Sequence, residues 1–323
     1  MLTHRIPYPP DRGDRIRAYH ILQHLTKHFD VWLGCTSDEP ITESQRAELG
    51  RLTIDYQIQP INAFYGKICG IRSLCLGGAV TPAYFYRRRL ARTIVDWHQS
   101  LRFDAVFTFC TGMISFARDV LAADREMGGE SLRHIIDLVD VDSEKWREYS
   151  EKTRAPMAWI YRAESKRLRH IESGESDRYD AVTVVSEAEA DTYRQSVAHH
   201  PGLSAIRQAV DLQYYQPLPD ADTNTAVFIG VLDYKPNIDG VCWFVSEVLP
   251  KLPEDFPFRL KIVGRFPTDE VKALAGPRVE VVGSVPDVRD YLREATVVIA
   301  PLRIARGVQT KILEGMAAGR AVL

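Results

Sequence analysis

The sequence predicts an α/β protein built from two tandem, Rossmann-like, doubly wound domains. Three observations carry that prediction. The chain has 323 residues, long for a single hydrophobic core. Short β-rich runs alternate with longer helical patterns, as in parallel sheets with helices on both faces. After Asp211 the run YYQPLPDADTNT, rich in proline and small polar residues, interrupts the alternation as an interdomain linker does. The reading is therefore a first domain over residues 1–210, a linker over 211–224 and a second domain over 225–323, with a cleft between the domains.

In chain order, strands are expected at Met1–His4, Val31–Cys35, Asp55–Gln59, Asp104–Phe109, His134–Val139, Ala181–Ser186 and Ser204–Gln208. Helices between them include Asp14–His28, Tyr84–Leu101, Ala155–Glu175 and Glu187–Gln195. In the second domain, strands at Ala226–Ile229, Arg259–Val263, Val279–Val282 and Val297–Ala300 alternate with helices at Ile238–Leu252, Thr268–Ala275, Val288–Glu294 and Thr310–Ala318. Both ends read as cut. The first strand is shorter than the usual five to six residues or so, and the chain stops at AVL as another strand begins, so a final helical segment is expected to be missing.

Composition narrows the function classes. With 45% hydrophobic and 26% charged residues the chain is globular, and a net charge of −2 gives no global pull toward nucleic acid. Five cysteines, without a C-x-x-C pair, read as reduced thiols. No apolar run is long enough to span a bilayer, and the N-terminus has no apolar signal core. A cytoplasmic protein is expected. Nothing resembles H-E-x-x-H, G-x-S-x-G or a Walker loop.

Four stretches carry chemistry. In PYPPDRGDRIRAYHILQHL (Pro7–Leu25) a proline turn leads to Gly13 and a helix expected to be capped by Asp14, with Arg12, Arg15 and Arg17 close by. A glycine there lets backbone amides approach an anion. The plain alternative is a tight turn with solvated arginines. In LRIARGVQTKILEG (Leu302–Gly315) Arg303, Arg306 and Lys311 surround the start of a helix, the end where the dipole disfavours cations. A bound pyrophosphate would relieve that conflict, held by Arg306, Lys311 and the backbone of Gly307, Val308, Gln309 and Thr310. Glu314, a turn further on, could accept from both hydroxyls of a ribose. The alternative is ordinary surface pairing of Arg303, Arg306 and Glu314.

TAVFIGVLDYKPN (Thr225–Asn237) places Gly230 at a strand end with Lys235 ahead of a helix, and KIVGRF repeats the pattern with Arg265. VVGSV adds a third strand ending in glycine, which suggests backbone room for a flat ligand. In HIIDLVDVDSEKW (His134–Trp146) Asp137, Asp140 and Asp142 crowd a strand end facing the expected cleft. Asp140 and Asp142 could bind a divalent cation, Asp140 could orient a sugar hydroxyl or move a proton, or Asp142 or Ser143 could cap the next helix.

Two further regions are basic and aromatic. Tyr84–Arg102 has five arginines against one aspartate, and Lys145–Arg169 has eight cations against three glutamates. They suit peripheral contact with an anionic membrane surface, or a solvated helix face with Leu90, Ile94, Trp97 and Leu101 as its core stripe.

The segments HRIPYPPDRGDRIRAYH, DLVDVDSEKW, VTVVSEAEA, FIGVLDYKPNIDGVCWFVSEVLP and APLRIARGVQTKILEGMAAGRAVL together resemble the bacterial sugar transferases associated with PEP-CTERM/exosortase exopolysaccharide systems, within the family-four retaining glycosyltransferases. The resemblance spans nearly the whole chain. It implies a GT-B fold, a nucleoside diphosphate sugar held mainly by the second domain, an acceptor held mainly by the first, and retention of anomeric configuration without an obligatory metal or other cofactor. In that wider family a Glu-x7-Glu motif contacts the donor. Its second glutamate matches Glu314, but Arg306 stands where the first is expected, so sugar contact by that residue does not carry over. The family's Arg and Lys diphosphate pair is also incomplete, since Val231 follows Gly230 and only Lys235 lies near the expected position.

The leading expectation is thus a glycosyltransferase that moves a sugar to a growing lipid-linked saccharide at the inner face of the membrane. Its donor site would comprise Gly230, Lys235, Arg265, Arg306, Gly307, Val308, Gln309, Thr310, Lys311 and Glu314, with Asp140 and Gly13 at the reacting centre and no bound metal. A nucleotide-sugar 2-epimerase and a non-catalytic nucleotide-sugar-binding protein remain as alternatives.

Overall fold

β-Branched segments with apolar residues on both faces form a sheet that must be covered twice, and in the first unit, Met1–Arg207, that is the outcome. The structure, a computed structural model, describes residues 1–129, 132–174, 179–221, 223–303 and 308–323. Strands β1 (Leu2–Thr3), β2 (Trp32–Ser37), β3 (Asp55–Pro60), β4 (Ala105–Phe109), β5 (Arg133–Val139), β6 (Ala181–Val184) and β7 (Leu203–Ala205) are all parallel, in the order β3-β2-β1-β4-β5-β6-β7. The helices are α1 (Gly13–Leu25), α2 (Glu43–Leu52), α3 (Ala63–Cys75), α4 (Val80–Phe85), α5 (Arg88–Leu101), α6 (Ile114–Glu126), α7 (Asp142–Lys152), α8 (Met157–Glu172) and α9 (Glu187–Ser196). One apolar layer includes Leu90, Ile94, Phe116, Ile136, Leu168 and Tyr193; the other includes Leu22, Leu33, Leu49 and Ile58.

The second unit, Gln208–Leu323, repeats the plan with five parallel strands. These are β8 (Thr225–Ile229), β9 (Arg259–Val263), β10 (Val279–Gly283), β11 (Val297–Val298) and β12 (Ala321–Val322), ordered β10-β9-β8-β11-β12. Its helices are α10 (Lys235–Trp243), α11 (Asp269–Lys272), α12 (Arg289–Glu294) and α13 (Thr310–Ala317). Tyr215 and Leu218, from the proline-rich run, pack against the layer of Val227, Leu292 and Val298.

Several expected elements change on folding. The single helix Tyr84–Leu101 is two, because Arg87 turns its guanidinium back onto the carbonyls of Tyr84 and Tyr86 (2.9 and 2.8 Å). Leu101 is exposed and does not join Leu90 and Ile94 in the core. The helix expected over Ile238–Leu252 starts at Lys235 and stops at Trp243, passing into a wide turn over Phe244–Val248 and a tight one over Leu249–Lys251 that contains Pro250, a residue without an amide donor. Helix α2 is absent from the sequence reading, although its start carries a capping box: the Thr42 hydroxyl accepts from Gln45 N (3.2 Å) and the Gln45 side chain accepts from Thr42 N (2.9 Å).

Candidate functional site

In each sheet the strand order reverses beside the first strand of the unit, between β1 and β4 and between β8 and β11. Open α/β sheets bind ligands at the carboxyl ends of the strands flanking such a reversal. Both places hold charged groups removed from water.

In the second unit, Gly230 closes β8, α10 supplies Asn237, and the first turn of α13 supplies Lys311. Lys311 is 8% exposed. It donates to Asn237 Oδ1 (2.7 Å) and lies 4.1 Å from the centre of the Phe228 ring. Asn237 in turn donates to the Val231 carbonyl (2.8 Å). A Cβ at Gly230 would lie 2.8 Å from Asn237 Nδ2 and 3.0 Å from Lys311 Nζ, so only glycine leaves room for both. Burial lowers the Lys311 ammonium to about 7, against the opposing pull of Glu314. Glu314 is buried one turn along α13, and its carboxyl is pushed up by burial while Tyr215 and Lys311 draw it down.

For Lys311 and Arg303 the conflict of cations at this helix start is eased by partners within the chain. Lys311 sheds part of its charge, and Arg303 forms a two-pronged ion pair with Asp239 of α10, its Nε 2.9 Å from Asp239 Oδ2. Gln309 stands at the N-cap of α13, preceded by Val308 and followed by Thr310, all half-buried. Arg306 and Gly307 lie outside the described residues. Lys235 is exposed at the first turn of α10, where it and, more strongly, Arg303 hold the Asp239 carboxyl down. The group from this helix that reaches Lys311 is Asn237, which the sequence reading missed; its only signal was a position directly after the Lys-Pro that opens the helix. Arg265 is half-buried beside the Phe266 ring, and its carbonyl accepts from Leu232 N (2.8 Å).

The expected room for a flat ligand beside three strand-end glycines is partly filled. A Cβ on Gly264 would overlap the Gly230 carbonyl. That glycine serves strand-to-strand approach. Gly264→Ala is expected to lower the melting temperature by several degrees in a thermal unfolding scan, since backbone would have to move.

In the first unit, His4 follows β1 and Cys110 follows β4. His4 Nδ1 lies 3.3 Å from the Cys110 sulfur and Nε2 lies 3.3 Å from Asp14, which also pairs with Arg5 (2.8 Å) and Arg12 (3.2 Å). Burial opposes charging of His4, but the sulfur and the Asp14 carboxylate together raise the imidazole to about 9. Asp14 is thereby drawn away from capping. Helix α1 starts at the exposed Gly13 with Arg12 at its N-cap and no side-chain cap.

The arginines of α1 are not solvated. Arg15 is buried and reaches Glu39 (2.8 Å) and Asp11 (3.3 Å). Arg17, 3% exposed, grips the fully buried Asp137 through Nε (2.8 Å) and Nη2 (3.0 Å) and donates to the Ile206 carbonyl (2.5 Å). Asp137 also accepts from Val139 N (3.0 Å), across a β-bulge where Val139 takes φ +66°. Such a bulge re-aims the chain, here into the half-buried Asp140. Asp142 accepts from the Thr111 hydroxyl (2.7 Å) and does not cap α7; nor does Ser143. Val141 holds the N-cap position, and the carboxylates of Glu189 and Glu172 accept from Val141 N and Ser143 N (both 2.9 Å). Among the described residues no group of three or more His, Cys, Asp or Glu side chains could hold a metal ion, and no helix is long and apolar enough to cross a membrane.

Residues 223–323 match the sequence family described as Glycosyl transferases group 1. This unit is a glycosyltransferase domain. By that domain the chain is a glycosyltransferase, and its two parallel-sheet α/β units form a GT-B fold. Among similar solved structures, sucrose-phosphate synthase from Thermosynechococcus elongatus is 15% identical with a TM-score of 0.64, covering 99% of this chain and 79% of that one. HepE from Anabaena, in complex with UDP-glucose, is 12% identical with a TM-score of 0.59, covering 99% and 78%. OtsA in its apo form is 13% identical with a TM-score of 0.58, covering 98% and 80%. At these identities the likeness is one of fold. No curated protein is significantly similar to the chain in sequence.

Proposed function

We propose that this glycosyltransferase moves a sugar from a uridine diphosphate sugar to a growing, lipid-linked saccharide in exopolysaccharide synthesis, with retention of configuration and without an obligatory metal. The observation that carries the donor assignment is the buried Lys311 ammonium at the start of α13, beside Gly230 and Asn237 at the sheet's reversal point. A diphosphate there would receive the charge of Lys311 and the backbone amides at the start of α13, joined by Arg306 and Gly307, which precede that helix in the sequence. As the sugar departs, negative charge builds on the diphosphate, and preorganised cations and amides lower the energy of that step. Glu314 accepts the ribose hydroxyls. The UDP-glucose held by the HepE neighbour supports a uridine donor.

On the acceptor side, the Gly13 turn follows β1, which flanks the reversal point of the first sheet, Asp140 follows β5, the strand next to β4, and the Arg17–Asp137 pair ties α1 to the bulge that precedes Asp140. The resemblance to exosortase-associated transferases supports the saccharide acceptor.

The test is incubation with a panel of nucleoside diphosphate sugars, with and without a membrane extract as acceptor source. Transfer of sugar with release of UDP, insensitive to EDTA, is the expected result. An epimerised sugar formed from donor alone, seen by NMR, would establish an epimerase, and donor binding without UDP release would establish a binding protein. Glu314→Ala is expected to weaken UDP binding on the order of 10- to 100-fold by calorimetry, the loss of about 1.5–3 kcal/mol in hydrogen bonds to a charged group. Unchanged affinity would remove Glu314 from the ribose site.

A further inference from the structure

The outer face of α3 is apolar and exposed, with Arg87 over the edge residue Tyr65 (5.2 Å to the ring centre). Phe64, Ile68 and Ile71 recur at helical spacing along it, with Tyr65 beside them and Leu76 just past its end; all are exposed, Phe64 at 74% and Leu76 at 76%. The inner face of the same helix is the closely packed one. A Cβ at Gly66 would lie 2.7 Å from the Tyr84 ring, and one at Gly70 would lie 2.8 Å from Val80. Two small residues thus seat α3 against α4, and the large apolar side chains are left pointing outward.

The support beneath is fastened by charge. Glu164 of α8 accepts from Val80 N (2.6 Å) and Thr81 N (2.8 Å), and Arg167 donates to the carbonyls of Gly78 (2.9 Å) and Leu74 (3.1 Å). A helix held firmly on one side with an apolar stripe on the other resembles an interfacial helix, whose apolar face enters the boundary between headgroups and acyl chains.

Charge selects the occupant. Between Ile61 and Phe103 the chain carries Lys67, Arg72, Arg87, Arg88, Arg89, Arg92 and Arg102 against Asp96 as its single acidic residue. Lys67 and Arg72 are exposed on α3 itself. A second copy of the chain would bring the same excess of positive charge against this face, whereas an anionic bilayer neutralises it and also accepts the apolar stripe. We propose that α3 is the membrane-docking element of this protein, binding an anionic lipid surface with Phe64, Ile68 and Ile71 inserted and Lys67 and Arg72 at the headgroups. This moves the membrane contact expected at Tyr84–Arg102 and Lys145–Arg169 onto a helix that the sequence reading did not name. It rests on the transferase reading only for its purpose, which is to keep the enzyme beside a lipid-linked acceptor.

Flotation of the full chain with vesicles tests it. Wild-type protein is expected to float with phosphatidylglycerol-containing vesicles and to bind pure phosphatidylcholine at least tenfold more weakly, with the difference shrinking as salt rises. Phe64→Ser with Ile71→Ser, and separately Lys67→Glu with Arg72→Glu, are each expected to reduce flotation at least tenfold. Both pairs of positions are exposed, so thermal unfolding is expected to be unchanged, as is UDP binding. Equal flotation of the variants would overturn the proposal, as would a wild-type dimer in solution that Phe64→Ser with Ile71→Ser dissolves. Failure of UDP to bind wild-type protein would instead count against the donor reading and leave the flotation result standing.

Discussion

Replacing Lys311 with methionine is expected to lower sugar transfer by about 10²- to 10³-fold, the range for removing one preorganised charge-stabilising donor, without lowering stability. Unchanged stability distinguishes a binding role from a structural one. Lys311 occupies a nearly dry position against the Phe228 ring, where an apolar side chain of similar length is at least as well accommodated as an ammonium. Donor affinity, measured by calorimetry, should fall with turnover while the unfolding midpoint holds or rises. A variant that turned over donor normally would remove Lys311 from the diphosphate site.

The same residue predicts a pH dependence. Its folded-state value is depressed to about 7 from the ordinary 10.5. The unfolded chain therefore holds the extra proton between those values, and stability rises with pH across that window and is lost as pH falls through about 7. A bound diphosphate favours the charged ammonium. Donor binding at pH 8 should then take up roughly one proton, detected by calorimetry in buffers of different ionisation enthalpy, and Lys311→Met should abolish the uptake.

Replacing Asp137 with alanine is expected to cost about 3–5 kcal/mol of folding stability, because it strands the Arg17 guanidinium in a dry interior. The pair is almost fully withdrawn from water, so loss of one partner leaves a charge without solvation. Arg17→Met combined with Asp137→Leu should be less destabilising than the sum of the single changes in urea unfolding, since the double variant leaves no unpaired charge. Asp137 also holds Val139 in its bulge, so Asp137→Asn, which keeps the shape and removes the charge, is expected to impair transfer as well as stability. If the double variant were no better than the singles added together, the ion pair would not be the cause.

Much of the architecture could be read from periodicity. The strands of both sheets lie within a residue or two of their expected places, apart from β7, which ends at Ala205 and not at Gln208, because parallel strands buried on both faces are largely runs of Val, Ile, Leu and Phe bounded by turns. Helix ends were less legible. Asp14 and Asp142 each looked like caps, yet each carboxylate is bound elsewhere, to His4 and Arg5 and to Thr111. A capping residue is recognised by type, but its partner is decided by which cation or hydroxyl the fold brings within reach.

The candidate site divides the same way. Sequence alone picked out Gly230, Lys311 and Glu314, since a glycine at a strand end and a cation at a helix start are local conflicts visible in one dimension. It could not foresee Asn237 beside Lys311, His4 beside Cys110, or Arg17 on Asp137, which lie 74, 106 and 120 residues apart in the chain. Nor could it tell a solvated arginine from one in a dry ion pair, or an inward apolar stripe from the outward one on α3. Periodicity and composition are properties of neighbours in sequence, and they determined the class of fold and named the candidate residues of the site. Burial, and with it the partners of groups such as Lys311, His4 and Arg17, is a property of neighbours in space, and only the tertiary structure decided it.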